Sequence, residues 1–334
     1  MRIPALKLPI KRGALLALAN WPVVVLQFIA EATFKILLAV PIVGGTFLVA
    51  LALNEDVRQV LGEDLDLRQS ATGVATSLMA HPIALTSFLL AIAIVVVGGS
   101  AFMFILKGGT LAVIVDAQRH AGPLERYPVR LALLRRASRT SVDVFLDGTR
   151  RLRQRFLRLG AFLLATYLVS GLLYLTVVVA GYRAVGEEGF LVGWTVIAAL
   201  CSALLVGWLT LVNTGYLILQ VVMAARDVSV RMAAREALRL LRVDTARMLG
   251  VFAVTVSLVG IATLASIVAT AGLGLISFVP FVGLAVLPLQ LLAWLLRGLM
   301  FQYLGLTSAG AYLSLYDAPG GAPVSTSIAG GVPA

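Results

Sequence analysis

Long apolar runs alternate along this chain with shorter segments that carry most of its charge. About 20 helical residues cross the roughly 30 Å hydrocarbon layer of a bilayer, and the apolar runs reach or exceed that length. The pattern therefore predicts an all-α fold, a polytopic transmembrane helix bundle with six spans. The predicted spans are about 33–53, 83–106, 160–181, 191–222, 249–272 and 291–315.

The last apolar region allows a second interpretation, in which it crosses the membrane twice. In this seven-span register, residues 276–297 and 298–316 each cross, Arg297 lies at the inner interface and the C-terminus emerges outside. In the six-span register, Arg297 lies in the outer leaflet within reach of the interface, and residues 273–290 form an outer turn. No charge separates Arg247 from Arg297, so charge bias does not decide between the registers. We favour six spans.

Residues 1–32 precede the first span and predict interfacial helices whose basic end lies against anionic headgroups. Asn20 is the predicted cap of a second helix. The Ala-Leu-Ala before it also fits a cleaved signal peptide, but the much longer apolar run that follows favours an uncleaved helix. Glu31 and Lys35 stand one turn apart, in the order that favours an intrahelical ion pair. We interpret them as a self-neutralised pair at the headgroups, with an ion or substrate site as the alternative.

The predicted membrane domain covers residues 33–317, and polar segments mark the ends of its spans. Residues 54–82 contain five acids against two arginines and predict an outer loop. Lys107–Gly109 is predicted to end the second span, with residues 110–118 as a short interfacial or re-entrant helix. Residues 318–334 are rich in Pro, Gly, Ala and Ser and predict a disordered tail.

Two basic segments have the periodicity of amphipathic helices, one over Val142–Leu159 and one within 223–248. The predicted apolar faces are Phe145, Thr149, Leu152, Phe156 and Leu159 in the first, and Ala234, Leu238 (or Ala237), Leu241 and Met248 in the second. Arginines occupy most of the remaining surface and are expected to contact lipid headgroups. They are Arg150, Arg151, Arg153, Arg155, Arg158, Arg231, Arg235, Arg239 and Arg242.

Some residues within the spans predict contacts between helices. Gly98–Ala101 forms a small-residue patch that another helix could approach closely, and Asn213 is expected to hydrogen-bond to a neighbouring helix. A second small-residue face recurs every four residues, at Ala262, Ser266, Thr270 and Gly274.

Composition agrees with a protein that faces lipid: 60% of its residues are hydrophobic, 13% are charged and its mean hydropathy is +0.98. A soluble domain has about 25% charged residues. The net charge of +11 is concentrated in the N-terminal segment and the two basic segments, so the positive-inside rule explains it and places these segments in the cytoplasm. We do not expect nucleic-acid binding, because the arginines lack interleaved exposed aromatic residues.

No motif of a known catalytic, metal or cofactor site occurs in the sequence, and we predict none of the three. His81 and His120 are the two histidines and belong to no zinc-binding pattern. Cys201 is the single cysteine and lies in an apolar run, where it packs as a small apolar group. No phosphate-binding loop or nucleophile elbow is present.

The order of segments resembles the six-span domain of membrane-anchored bacterial glycerophosphodiester phosphodiesterases and related uncharacterised integral membrane families. Four stretches carry the resemblance: KGGTLA from Lys107, FLDGTRRLRQRFLRLGAFLL (145–164), AAREALRLLRVDTARMLGVF (233–252) and AYLSLYD (311–317). The resemblance implies the six-span architecture. It does not imply the phosphodiesterase activity, which belongs to a separate soluble domain for which this chain has no room.

These observations predict a multi-pass protein of the bacterial inner membrane with a cytoplasmic N-terminus. The preferred function is a non-enzymatic scaffold or accessory component that meets anionic headgroups and a membrane or cytoplasmic protein partner. The alternative is a transporter or lipid-handling protein, whose path would follow helices broken at Pro41, Gly98-Gly99, Pro280 and Pro288. An intramembrane enzyme would need a nucleophile and a base in contact near Ser170, Ser257, Ser266 or His120.

Overall fold

The computed structural model describes residues 4–52, 82–125, 130–139, 141–185, 191–277 and 282–317. Of these residues 94% are helical, in nine helices and without a strand. We number the helices α1 (Pro4–Ala19), α2 (Trp21–Ala52), α3 (Pro82–His120), α4 (Leu131–Ala137), α5 (Val142–Val185), α6 (Leu191–Arg226), α7 (Val230–Val243), α8 (Thr245–Ser277) and α9 (Val282–Tyr316).

Six of the described helices, α2, α3, α5, α6, α8 and α9, are long and apolar enough to cross a membrane. The predicted all-α fold with six spans is therefore confirmed. Helix α9 runs without interruption through Arg297, so the hairpin that a seventh span would need after this residue is absent. The chain is thus an integral membrane protein with the architecture of a multi-pass helix bundle.

One predicted interruption was wrong, and another was predicted too broadly. Helix α3 continues past Lys107–Gly109 to His120, so residues 110–118 are not a separate helix. The glycines allow this extension to pack closely: a methyl group on Gly109 would lie 2.7 Å from the Phe145 ring, and one on Gly148 would collide with Ala112. The outer turn predicted over 273–290 is also too broad, because α8 reaches Ser277 and α9 begins at Val282.

Helix α2 joins the predicted interfacial segment to the predicted first span, since it runs unbroken from Trp21 to Ala52. The acidic loop at 54–82 lies outside the described residues, apart from Pro82, and so do His81, Pro280 and the tail at 318–334.

The length of the helices determines where the protein core forms. Helices α3, α5, α6, α8 and α9 contain 39, 44, 36, 33 and 35 residues. About 20 residues cross a bilayer, so a dozen or more of each remain outside it. Lipid covers apolar side chains within the bilayer, whereas those beyond it must be buried in protein.

The observed burial follows this division. Buried side chains cluster where α3, α6 and α9 end and where α5 and α8 begin: Leu111–Val115, Val221–Ala224 and Ala311–Leu313, with Leu152, Phe156, Leu159, Met248 and Val251. The opposite halves of α5 and α6 leave their leucines exposed, among them Leu172 and Leu200. We call the buried end the basal end.

The chain divides into two compact units. Unit 2, Leu26–Phe104, holds most of α2 and the first part of α3. These helices pack where Phe34 fills the space beside Gly99, at the small-residue patch predicted for close approach. Unit 1, Met1–Val25 with Ile105–Ala334, contains the basal end. Within it α1 and α8 pack against α9, and α5 packs against α6.

Polar side chains join α5 to α6 across the apolar layer. The Tyr167 hydroxyl donates to Asn213 Oδ1 at 2.5 Å, and Trp208 Nε1 donates to Ser170 Oγ at 3.0 Å. Farther from the basal end, the hydroxyls of Tyr174 and Ser202 lie 2.7 Å apart. The prediction that Asn213 hydrogen-bonds to a neighbouring helix is confirmed.

Candidate functional site

The basal end of unit 1 contains short helices in addition to the ends of the long ones. Three helices too short to span, α1, α4 and α7, lie there against the ends of α6 and α9 and the starts of α5 and α8. We call this assembly, with the last turns of α3 and residues 121–125, the basal platform. The predicted apolar face of α5 is buried in it: Leu152 and Phe156 are fully buried and Leu159 is 1% exposed. This face therefore packs on protein, not on lipid.

Within the basal platform, a small apolar core and a buried side-chain amide hold α1 and α4 against the end of α3. Leu16, Ala117, Ala121, Leu124 and Ala137 form the core. Asn20 is fully buried beside it. Its Nδ2 donates to the carbonyls of Leu16 (3.0 Å) and Ala137 (2.9 Å), and its Oδ1 accepts from the Arg139 amide (2.9 Å). The predicted capping residue thus joins the α1–α2 junction to the end of α4.

A chain of polar contacts connects α1, α3 and the end of α9. Arg12 donates to Glu125 Oε2 at 2.7 Å and to Gln118 Oε1 at 2.8 Å, and Gln118 in turn donates to Asp317 Oδ2 at 3.2 Å. Lys11 donates to the Glu125 carbonyl at 3.0 Å. Arg12, Gln118, Glu125 and Asp317 line a cavity of about 300 Å³. Arg12 pairs with Glu125 and Asp317 accepts from Gln118, so these contacts hold three chain segments together.

Acids also tie α5, α6, α7 and α9 together. Asp227 ends α6 with a positive φ of 56° and accepts from Arg155 at 2.5 Å, with Arg151 3.9 Å away. On α7, Glu236 accepts from the Tyr316 hydroxyl at 2.6 Å and from Arg226 at 3.4 Å. These acids were not predicted to join the helices. Each is an isolated carboxylate within an otherwise basic segment, which is the feature of the sequence that indicates such a role.

The buried face of α7 agrees only in part with the predicted stripe. Ala233, Ala237 and Leu240 are buried, so the alternative position Ala237 is confirmed, whereas Leu238 is 56% exposed. The small alanines let α7 lie close to its neighbours while Glu236 reaches Tyr316. The four arginines of this helix, Arg231, Arg235, Arg239 and Arg242, are all exposed. On α5, Arg150, Arg151, Arg153 and Arg158 are exposed, while Arg155 is half-buried beside Asp227.

The ionisable residues predicted within or near the spans are close to the surface. Lys35 Nζ lies 2.5 Å from Glu31 Oε1, and the Lys35 side chain is 61% exposed. The Arg297 guanidinium lies 5.9 Å from the centre of the Phe301 ring. Arg297 stands 19 residues before the end of α9, roughly 28 Å along the helix axis. Since 15 residues of α9 precede it, Arg297 lies near the middle of this helix and well away from the basal platform.

The small-residue face of α8 is only partly covered. Ala262 and Ser266 are buried, whereas Thr270 is exposed and a methyl group on Gly274 would meet nothing within 4 Å. The Thr270 hydroxyl donates to the Ser266 carbonyl of its own helix at 2.8 Å.

Two positions considered as parts of an intramembrane active site, Ser170 and His120, contact neighbouring side chains. Ser170 accepts from Trp208, and His120 Nδ1 lies 3.4 Å from Asp116 Oδ1. Among the described residues no group of three or more His, Cys, Asp or Glu side chains could hold a metal ion.

Comparison of this chain with protein-family models, curated proteins and solved structures found no match. The resemblance to the phosphodiesterase membrane domains therefore stays a prediction. The fold defines the class of the protein: it is a multi-pass α-helical membrane protein with a basal platform.

Proposed function

We propose that this chain is a non-enzymatic scaffold or accessory component of a bacterial cytoplasmic membrane, with the basal platform and both termini in the cytoplasm. The observation that carries this proposal is the uneven packing of unit 1. The basal platform buries large apolar side chains and pairs several of its acids, whereas no residue in the most apolar stretch of α6 is buried.

Exposed intramembrane faces are what a scaffold presents to the spans of a partner. Between α5 and α6 they form an apolar groove of about 320 Å³, lined by Ser170, Leu173, Tyr174, Val177, Cys201, Leu204, Leu205 and Trp208. The hydrogen bonds of Ser170, Tyr174 and Trp208 leave apolar surface at the groove. A partner helix gains van der Waals contacts there, which are the main drive for helix association in lipid.

The proposed orientation rests on charge. The basal segments 107–158 and 223–248 carry 18 of the 27 lysines and arginines. Short loops enriched in Lys and Arg remain in the cytoplasm. The basal platform therefore faces the cytoplasm, and Val185 and Leu191, at the far ends of α5 and α6, lie outside.

A lipid-handling protein is the second candidate, and the same groove favours it, because a groove open to the bilayer also accepts an acyl chain. A transport path along broken helices has less support. Helices α2, α3 and α9 continue unbroken through Pro41, Gly98 and Pro288, while Pro280 lies outside the described residues.

Photocrosslinking in intact cells separates the two candidates. A photoreactive benzoylphenylalanine at Leu204, which is 74% exposed in the groove, is expected to give one protein adduct of defined mass. Leu173→Trp, which fills the groove, should abolish it. The control position is Phe162, which is 70% exposed on α5 but does not line the groove. Lipid adducts alone at Leu204 would contradict the scaffold and support lipid handling.

A further inference from the structure

Helix α7 presents a strongly basic face away from the protein. Its buried residues, Ala233, Ala237 and Leu240, share one side of the helix. At about 100° per residue, Arg231, Arg235, Arg239 and Arg242 fall within an arc of roughly 80° on the opposite side. None of the four side chains forms a hydrogen bond or ion pair with any other residue that the structure describes.

This face differs from the rest of the basal platform, where acids neutralise bases. Asp116 pairs with Arg139, Glu125 with Arg12, Asp227 with Arg155, Glu236 with Arg226 and Asp244 with Arg247. On α5, the exposed Arg150, Arg153 and Arg158 share their surface with the exposed Asp143 and Asp147. The outward arc of α7 holds four positive charges and no acid.

Apolar side chains border the arginines of α7. Met232, Leu238 and Val243 are 55%, 56% and 64% exposed, and helical geometry places them at the two edges of the basic arc. The helix connects α6, which ends at Arg226, with α8, which begins at Thr245, so it lies where two spans leave the apolar layer. Exposed apolar groups beside arginines at this level match the boundary between acyl chains and headgroups.

We propose that the face of α7 formed by Arg231, Arg235, Arg239 and Arg242 binds the phosphates of anionic phospholipids. Arginine suits this role, since its planar guanidinium makes paired hydrogen bonds to phosphate oxygens and stays charged. The inference does not depend on the scaffold proposal. It also divides the nine arginines expected to contact headgroups into two sets. The four on α7 bind anionic lipid specifically, and the five on α5 do not.

Native mass spectrometry of the full-length protein in detergent tests this proposal, with phosphatidylglycerol and phosphatidylcholine of equal chain length as probes. We expect roughly tenfold tighter binding of phosphatidylglycerol, which corresponds to about 1.4 kcal/mol, because its net negative charge is attracted by the basic face whereas phosphatidylcholine carries no net charge. The triple variant R231Q/R235Q/R239Q should lose this preference. The variant R150Q/R153Q/R158Q removes the same charge from α5 and should retain it.

Other results would overturn the proposal. An equal loss in both triple variants would mean non-specific attraction, and an unchanged preference in the α7 variant would place the lipid elsewhere. Displacement of phosphatidylglycerol by millimolar inorganic phosphate would make this a free-phosphate site. Displacement by an equimolar twelve-residue polyglutamate peptide would assign the face to an acidic protein. If R231Q/R235Q/R239Q loses helicity by circular dichroism, R235Q alone replaces it, with a smaller loss expected in the same direction.

Discussion

Gly13→Ala is expected to destabilise the protein by about 3 kcal/mol, at the upper end of the usual cost of overpacking. A methyl group at Gly13 would collide with the Thr307 carbonyl oxygen and lie 2.6 Å from the Ala311 amide nitrogen. A methyl group on Gly310 would lie 2.9 Å from Gly13 Cα. The obstacle is backbone, which cannot rotate aside, so α1 would have to move away from α9.

Gly305→Ala is the matched control, since it changes a helical glycine of α9 whose added methyl group would meet nothing within 4 Å. Alanine is favoured over glycine inside a helix by roughly 0.5–1 kcal/mol, so this variant should be neutral or slightly more stable. Thermal unfolding in detergent, followed by circular dichroism, measures both. Equal stability of the two variants would show that α1 does not cross α9 at Gly13.

Asn20→Leu should cost roughly 2–4 kcal/mol. Leucine removes the hydrogen bonds of the Asn20 amide to Leu16, Ala137 and Arg139, and the Ala137 carbonyl and Arg139 amide lose the partner that reaches them from the α1–α2 junction. A buried polar group left without a partner costs about 1–3 kcal/mol. Because α4 is held through these contacts, we also expect faster proteolysis between α4 and α5 under native conditions.

Asn213→Leu provides the matched control, because it removes an exposed asparagine that bonds Tyr167 across the apolar layer. Hydrogen bonds between helices in membranes contribute about 0.6 kcal/mol on average. A loss at Asn213 as large as that at Asn20 would mean that the α5–α6 pair, not the basal platform, dominates stability.

Apolar patterning was sufficient to predict the spans and the buried face of α5. Runs of 20 or more apolar residues have few alternatives to a transmembrane helix, and Leu152, Phe156 and Leu159 repeat at helical spacing. The ends of the helices were less predictable. The Gly108-Gly109 pair after Lys107 is a sequence pattern typical of the end of a helix, but packing against α5 keeps both glycines helical.

The basal platform could not be predicted because its contacts are far apart in the sequence. Arg12 and Glu125 are separated by 113 residues, and Tyr316 and Glu236 by 80. Charge bias indicates on which side these residues lie, but not which acid pairs with which base. The register of α7 stayed open between Leu238 and Ala237 because a face that contains alanine is hard to identify from apolar periodicity alone, and the structure buries Ala237.

The position of the basal platform relative to the membrane is the central claim, and labelling of single cysteines tests it most directly. With Cys201 replaced by serine, Arg235→Cys on α7 and Arg183→Cys near the opposite end of α5 each provide one exposed thiol. A membrane-impermeant maleimide should label position 183 in intact cells and position 235 only after the membrane is permeabilised. Labelling of position 235 in intact cells, or of both positions from the same side, would contradict a cytoplasmic basal platform at one end of α5.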